Sequence, residues 1–254
     1  MNIVLFEAAE VSVGDGIATG TGRLGRGDPR YLHIKKVLRK KAGDGFAAGV
    51  VDGPEGTARV LALDEGGLSF EFRAERHMRP LFPVRLAVGF PRPIQLKRLL
   101  RDAASLGVER VYLIGTELGE RSYRDSSLVD RGAARESLLE GVSQARGTAL
   151  PSLDLYDSAR EFVETTADED AERVLLDTAD PESSLFSMDL GTPTPRRPLV
   201  LAIGSERGWS AAERALFREG GYRVASLGPR ILRTETATVA ALSIALAKIG
   251  RMEG

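Results

Sequence analysis

Over roughly the first eighty residues, apolar positions fall in short runs or alternate with a period of two. Ile3-Val4-Leu5-Phe6 is an unbroken apolar run, and the segments from Thr57 to Ala62 and from Leu68 to Phe72 alternate, the signature of half-buried strands. Gly and Asp punctuate Val13-Gly14-Asp15-Gly16 and Asp52-Gly53-Pro54-Glu55-Gly56, where turns are expected. One helical stretch interrupts this rhythm. Asp28 suits an N-cap and Pro29 the first helical position, and Leu32, Val37 and Leu38 carry the apolar face on to Gly43-Asp44. The pattern predicts a small β-barrel carrying one helix.

From about Arg79-Pro80 the rhythm changes. Strands are predicted at 84–89, 110–114, 152–156, 173–177, 199–203 and 222–227. Helices are predicted at 94–106, 130–146, 159–166, 210–220 and 234–249. The segment 181–198 is rich in Pro, Ser and Thr and reads as a loop, and Asp168-Glu169-Asp170 as a solvated one. Strands alternating with helices imply a parallel sheet covered on both faces, as does the unbroken apolar run Leu199-Val200-Leu201-Ala202-Ile203. The expected organisation is a β-barrel domain over 1–78 and an α/β domain over 79–254.

Composition narrows the chemistry. The 254 residues include no cysteine and only two histidines, His33 and His77. Disulfides, thiolate metal sites and a cysteine nucleophile are excluded, and no resident metal is expected. No run approaches the ~18 apolar residues of a membrane span, and the N-terminus lacks a signal-peptide pattern, so a cytoplasmic protein is expected. The net charge of −1 conceals two opposite stretches. Residues 23–41 hold eight Lys or Arg against Asp28 alone, whereas 154–189 hold twelve acids against Arg160 and Arg173. The first is either a solvated helix face or a phosphate-contacting surface.

Two loops carry the chemistry. The first follows the buried strand and runs Ile203-Gly204-Ser205-Glu206-Arg207-Gly208-Trp209-Ser210-Ala211-Ala212-Glu213. Ser210 and Glu213 fit a capping box. Gly204 and Gly208 would let backbone groups approach a ligand at the carboxyl end of a parallel strand. The loop matches neither nucleotide-binding glycine fingerprint. Trp209 suits a base-stacking role or, more simply, a staple for the following helix. The second loop runs Leu227-Gly228-Pro229-Arg230-Ile231-Leu232-Arg233-Thr234-Glu235-Thr236-Ala237. It places Arg230 and Arg233 before a helix N-terminus, whose dipole repels cations unless an anion offsets them. That anion is either a structural carboxylate, Glu206 or Glu235, or a phosphate or oxyanion of a substrate.

These loops closely resemble the C-terminal motifs of the SPOUT methyltransferases, in particular the RsmE type. The first family pattern, I-G-P-E-G-G-F-S-x-x-E, is kept at Ile203, Gly204, Glu206, Gly208, Ser210 and Glu213; Ser205, Arg207 and Trp209 depart from it. The second, L-G-x-R-I-L-R-x-E-T-A, is met throughout from Leu227 to Ala237. A third, H-x-x-x-V-L-R followed by G-D, is met by His33, Val37, Leu38, Arg39, Gly43 and Asp44. The resemblance spans essentially the whole chain. It implies a PUA-like β-barrel joined to an α/β domain with a trefoil knot, a homodimer, and S-adenosylmethionine as methyl donor. The implied reaction is methylation of N3 of a uridine in 16S ribosomal RNA of the small subunit. The middle of the catalytic domain departs further: the family's K-A-T-E-L-G-V stands here as Asp102-Ala103-Ala104-Ser105-Leu106-Gly107-Val108, and E-Q-S-x-R as Ser143-Gln144-Ala145-Arg146-Gly147. Gln144, Pro151 and Arg121-Ser122 are retained.

On this resemblance the cofactor is expected against Leu176, Ile203, Gly204, Gly208, Leu227, Gly228, Ile231 and Leu232. Arg233 is the expected cation for the anion formed at the uracil, and Glu206 or Glu235 the proton acceptor. Arg230 is expected to orient Glu206 or contact RNA. Arg26, His33, Arg39 and Arg121 complete the expected RNA contacts. Two alternatives stand beside this reading: a SPOUT paralogue that methylates another RNA site, and a non-catalytic RNA-binding ribosome-assembly factor.

Overall fold

The structure, a computed structural model, describes residues 2–13, 19–124 and 131–253. The turn expected at Gly14–Gly16 and the helix start at Asp130 lie outside the described residues. Two compact units are formed, Met1–Pro80 with Val142–Leu150, and Leu81–Gly141 with Pro151–Gly254.

The first unit contains β1 (Val4–Phe6), β2 (Ser12–Val13), β3 (Thr19–Gly25), α1 (Pro29–Leu32), β4 (Gly45–Val50), β5 (Glu55–Asp64) and β6 (Gly67–Arg76). These strands make one sheet in the order β1-β4-β5-β6-β3-β2. Only the β1–β4 pairing is parallel. Alternation along the strands sends Leu24, Phe46, Ala58, Val60, Leu68, Phe70 and Phe72 into one apolar core. There Phe6 stacks on Phe70 at 4.2 Å and meets Phe72 edge-on at 6.4 Å.

The helix that follows β3 is shorter than its apolar pattern suggests. Asp28 caps it by accepting from the Arg30 amide at 2.8 Å, and Pro29 begins it. Residues His33–Val37 then continue as one π-helical turn, in which the Leu38 amide donates to the His33 carbonyl at 3.0 Å. Arg39 takes a left-handed conformation, φ 53°, and ends the helix well before Gly43. The Lys41 amide then donates to Asp44 Oδ2, which turns the chain into β4.

Among the described residues, two of the eight cations of residues 23–41 form ion pairs within this unit. Arg23 pairs with Asp64 at 2.8 Å. Arg30 donates to both oxygens of Glu10, to Asp28 and to the Leu5 carbonyl, all within 3.0 Å. The hydrogen bonds from Arg30 hold the Glu10 carboxyl below its ordinary range. Burial opposes ionisation of Asp28, but hydrogen bonds from the Arg30 side chain and amide outweigh it, and its pKa is lowered too. Stability from this cluster is therefore present above the ordinary carboxylate pKa of about 4 and is lost as acid protonates the two groups. Arg30→Ala is expected to cost about 2 kcal/mol at neutral pH, because two half-buried carboxylates lose their cation. Urea unfolding at pH 7 and pH 3 checks this: the gap between wild type and variant narrows in acid.

The second unit contains β7 (Phe82–Gly89), α2 (Pro93–Ser105), β8 (Val108–Ile114), α3 (Arg121–Arg124), α4 (Arg131–Gln144), β9 (Ser152–Tyr156), α5 (Ala159–Thr165), β10 (Glu172–Leu176), β11 (Ser183–Ser184), β12 (Leu199–Ile203), α6 (Ala211–Glu219), β13 (Arg223–Ser226) and α7 (Thr234–Lys248). The end of α4 and residues up to Leu150 count with the first unit. The sheet runs β11-β13-β10-β12-β7-β8-β9, parallel throughout. One aromatic cluster on it joins Tyr112, Phe162, Trp209, Phe217 and Tyr222. The helix predicted at 94–106 is α2, which buries Leu96, Leu99 and Leu100.

The Asp168-Glu169-Asp170 segment is the loop that its charge suggests, with Asp168 and Asp170 exposed, and it also carries ion pairs. Glu169 accepts from Arg85 at 2.7 Å, and its carbonyl accepts from Arg173 at 2.6 Å. Asp170 pairs with Arg197, which also binds Glu172 at 2.5 Å. Two of the segment's three acids, Glu169 and Asp170, are thus paired with Arg85 and Arg197 from elsewhere in this unit.

Candidate active site

The site is built where three strands end together. Leu176 of β10 lies in register with Ile203 of β12 on one side and Ala225 of β13 on the other. The loops leaving these strands therefore start at one level, outside the carboxyl edge of a parallel sheet.

The loop after β12 is tightly folded. The Gly208 amide donates to the Ser205 carbonyl at 2.8 Å, and Gly208 takes a positive φ of 75°. Gly204 packs against the returning backbone: a Cβ there would stand 2.8 Å from the Gly208 carbonyl carbon. The loop ends in the expected capping box. The Glu213 amide donates to Ser210 Oγ at 3.1 Å, and the Ser210 amide donates to Glu213 Oε2 at 2.8 Å. The other oxygen of the buried Glu213 carboxylate accepts from the Glu117 amide at 2.8 Å, which ties this loop to the one after β8.

The loop after β13 turns at Gly228, φ 106°, and enters α7 with Arg233 at the N-cap position. Ile231 projects from it almost fully exposed, at 89%. Between the two loops lies a cleft of about 320 Å³. Seven of the eight expected cofactor residues line it: Leu176, Ile203, Gly204, Gly208, Leu227, Ile231 and Leu232. Gly228 makes the turn but does not itself line the cleft. Glu206 and Arg230 are also on its wall. Arg233 and Glu235 are not; Arg233 is exposed at the helix start between the lining residues Leu232 and Thr234, and Glu235 is half-buried in the first turn.

The ion pairs around the cleft differ from those the sequence suggested. Glu206 accepts from the Arg92 amide at 3.2 Å and lies 3.7 Å from the Arg92 guanidinium. Arg230 thus does not orient Glu206. Among the described residues neither Arg230 nor Arg233 forms an ion pair, so the cations before α7 are not offset by a structural carboxylate. Trp209 reaches the cleft lining but is buried, edge-on to Phe217 at 4.6 Å, and staples α6 to the core. Sequence reading missed Arg214, which binds the buried carboxylate of Asp177 at 2.6 Å on the cleft wall. The pair spans strand and helix, and only the placement of Asp177 after β10 hinted at it.

Arg121 lies elsewhere, on a second cavity of about 570 Å³ beyond the ends of β8 and β9. Arg26, His33 and Arg39 belong to the first unit, Arg26 and Arg39 exposed and His33 half-buried. Among the described residues no cluster of three metal-ligating side chains occurs, and no helix is long and apolar enough to cross a membrane.

A parallel sheet with a cleft between two glycine-bearing loops at its carboxyl edge defines an α/β domain, and residues 77–246 match the RNA methyltransferase domain family. The chain is 43% identical to the ribosomal RNA small subunit methyltransferase E of Treponema pallidum, over 97% of this chain and 91% of that protein. A relative of the same name from Borreliella burgdorferi is 26% identical over 99% of this chain and all of that protein. The crystal structure of ribosomal RNA small subunit methyltransferase E from Neisseria gonorrhoeae, bound to S-adenosyl methionine, superposes with a TM-score of 0.78 at 20% identity, covering 97% of each chain. The chain belongs to the ribosomal RNA small subunit methyltransferase E family.

Proposed function

We propose that this protein transfers a methyl group from S-adenosylmethionine to N3 of a uridine in 16S ribosomal RNA of the small subunit. The observation that carries this reading is the cleft between the loops after β12 and β13. Its chemistry suits the cofactor. Ile203, Leu227 and Leu232 offer apolar surface to an adenine, and the strand-end backbone offers hydrogen-bonding groups. A Cβ at Gly208 or Gly228 would meet nothing within 4 Å, so both loops leave open space beside the backbone.

The bound cofactor would supply an electrophilic methyl carbon with a good leaving group. The chain's own task is then to position the nucleophile and manage one proton. Arg233 forms no ion pair among the described residues and stands beside the cleft, where its guanidinium can stabilise the anion that develops at the uracil carbonyls. Glu206 is already engaged by Arg92, a poor setting for a proton acceptor. Glu235 forms no ion pair among the described residues, and the acceptor role is assigned to it. A calorimetric titration with S-adenosylmethionine tests the base of this reading. One site per chain is expected; no heat and no protection of the cleft would overturn it and favour a non-catalytic RNA-binding factor.

The first unit is proposed to be a PUA-like RNA-binding barrel. Lys36, Arg39, Lys40 and Lys41 remain outside the internal ion pairs among the described residues and form its phosphate-binding surface. RNA affinity should fall steeply between about 50 and about 200 mM salt. Replacing these four by alanine should flatten the log–log salt slope by about 3, measured by filter binding; an unchanged slope would place the RNA surface elsewhere. The trefoil knot, the homodimer and a cytoplasmic location are proposed on the family resemblance. The placement of β13 on the far side of β10 from β12 supports the knot. The exposed Ile231 and Val239 support a partner subunit.

A further inference from the structure

Arg207 stands where the family pattern of the cofactor loop has glycine, so this chain adds a long cation to the loop tip. Its guanidinium donates to Glu120 Oε1 at 2.8 Å, with 68% of the Arg207 side chain and 47% of the Glu120 side chain exposed. An ion pair this exposed contributes little to folding. Its placement is more informative. Arg207 is on the wall of the cofactor cleft, and Glu120 is on the rim of the second cavity. That cavity has a floor that includes Phe90, Ala159 and Leu216 and a rim that carries Arg121, Arg124 and Arg160. Arg124 is held by Asp157 and Arg160 by Glu164, whereas Arg121 has no ion pair among the described residues. Residues of the Gly204–Glu213 segment line both cavities, Gly204 to Trp209 the cleft and Ala212 and Glu213 the second cavity, so the cleft and this cationic rim are neighbours.

We propose that Arg207 is a positioning residue for the RNA, held by Glu120 in the free protein and transferred to a backbone phosphate when the strand docks. This rests on the methyltransferase reading above. A phosphodiester offers the guanidinium two oxygens in matching geometry. Glu120 is then both a placeholder and a competitor: its carboxylate keeps Arg207 extended toward the rim, yet repels the phosphate that must replace it. The two ends of one ion pair should therefore affect RNA binding in opposite directions. A purely structural pair would not behave so, since breaking it from either end would have the same effect.

The test is filter binding of 16S ribosomal RNA to the full chain at several salt concentrations, with R207G, R207K and E120Q. R207G restores the family glycine at a position that already tolerates it. It is expected to weaken binding about fivefold and to lower the salt slope by about one contact, R207K to retain most of the affinity, and E120Q to tighten binding about twofold. Weakening by both R207G and E120Q, or no change in either, would overturn the proposal. Methyl transfer by the wild-type chain to small ribosomal subunits is measured alongside. Its absence would overturn the methyltransferase reading, whereas same-direction shifts with transfer intact would overturn only the role of Arg207.

Discussion

Gly204→Val is expected to lower the affinity for S-adenosylmethionine by about a hundredfold or more, a loss of about 2.7 kcal/mol of binding free energy. The first side-chain carbon would stand 2.8 Å from the Gly208 carbonyl carbon and 2.9 Å from its Cα, and backbone atoms cannot rotate aside as a side chain would. The loop must open instead. It is pinned at its far end by the Ser210–Glu213 box and by Glu213 on the Glu117 amide, so the displacement falls on the segment that walls the cleft. Folding stability should also fall, by about 1–3 kcal/mol, since the same loop delivers Trp209 to the aromatic core. Gly27→Ala is the control: nothing lies within 4 Å of a Cβ there, and neither property should change. Calorimetry with the cofactor and a thermal melt check both expectations. A Gly204→Val protein that binds the cofactor within about threefold of wild type would show that the close approach of Gly204 to Gly208 is not what shapes the site.

Arg233→Ala is expected to lower kcat for RNA methylation by about a hundredfold to a thousandfold, the range seen when one donor to a developing anion is removed. Arg233 is outside the lining of the cleft, so cofactor affinity should stay within about twofold. Arg233→Lys should recover part of the rate, because an ammonium supplies charge without the planar fork. Single-turnover methyl transfer with saturating RNA separates these effects. A full rate in Arg233→Ala would remove the residue from the chemistry. Loss of cofactor binding with the rate would recast it as a helix-cap residue. The capping geometry argues against that outcome, since the Arg233 side chain makes no cap hydrogen bond.

Features of the site that depend on neighbours in sequence were legible from sequence alone. Strand β12 coincides with its apolar run, β9 with Ser152–Tyr156, and the Ser210–Glu213 box forms as its spacing suggested. The glycine loops converge because parallel strands deliver their ends to one edge, a consequence of the alternating strand–helix rhythm. What stayed hidden depends on distant partners or on backbone choices without a period. Apolar spacing does not encode a π turn, so the early end of the first-unit helix at a left-handed Arg39 was not foreseen. The Arg92–Glu206 contact joins residues 114 apart, Arg207–Glu120 spans 87, and Arg85–Glu169 spans 84. Charge counting along the chain shows an acidic stretch and a basic one but not their partners: folding pairs Asp154, Glu169, Glu172 and Asp177 of the first with arginines, and removes Arg23 and Arg30 from the second.

The central claim is that the cleft between the loops after β12 and β13 serves methyl transfer to a uridine of the small ribosomal subunit. It is tested most directly by incubating the protein with small subunits that lack the modification and S-adenosylmethionine labelled in the methyl group. The RNA is then digested and its nucleosides identified by mass spectrometry. The account predicts label in N3-methyluridine at a single site, absent with Gly204→Val and strongly reduced with Arg233→Ala. Label in a different nucleoside, or no transfer by a protein that demonstrably binds the cofactor, would contradict it.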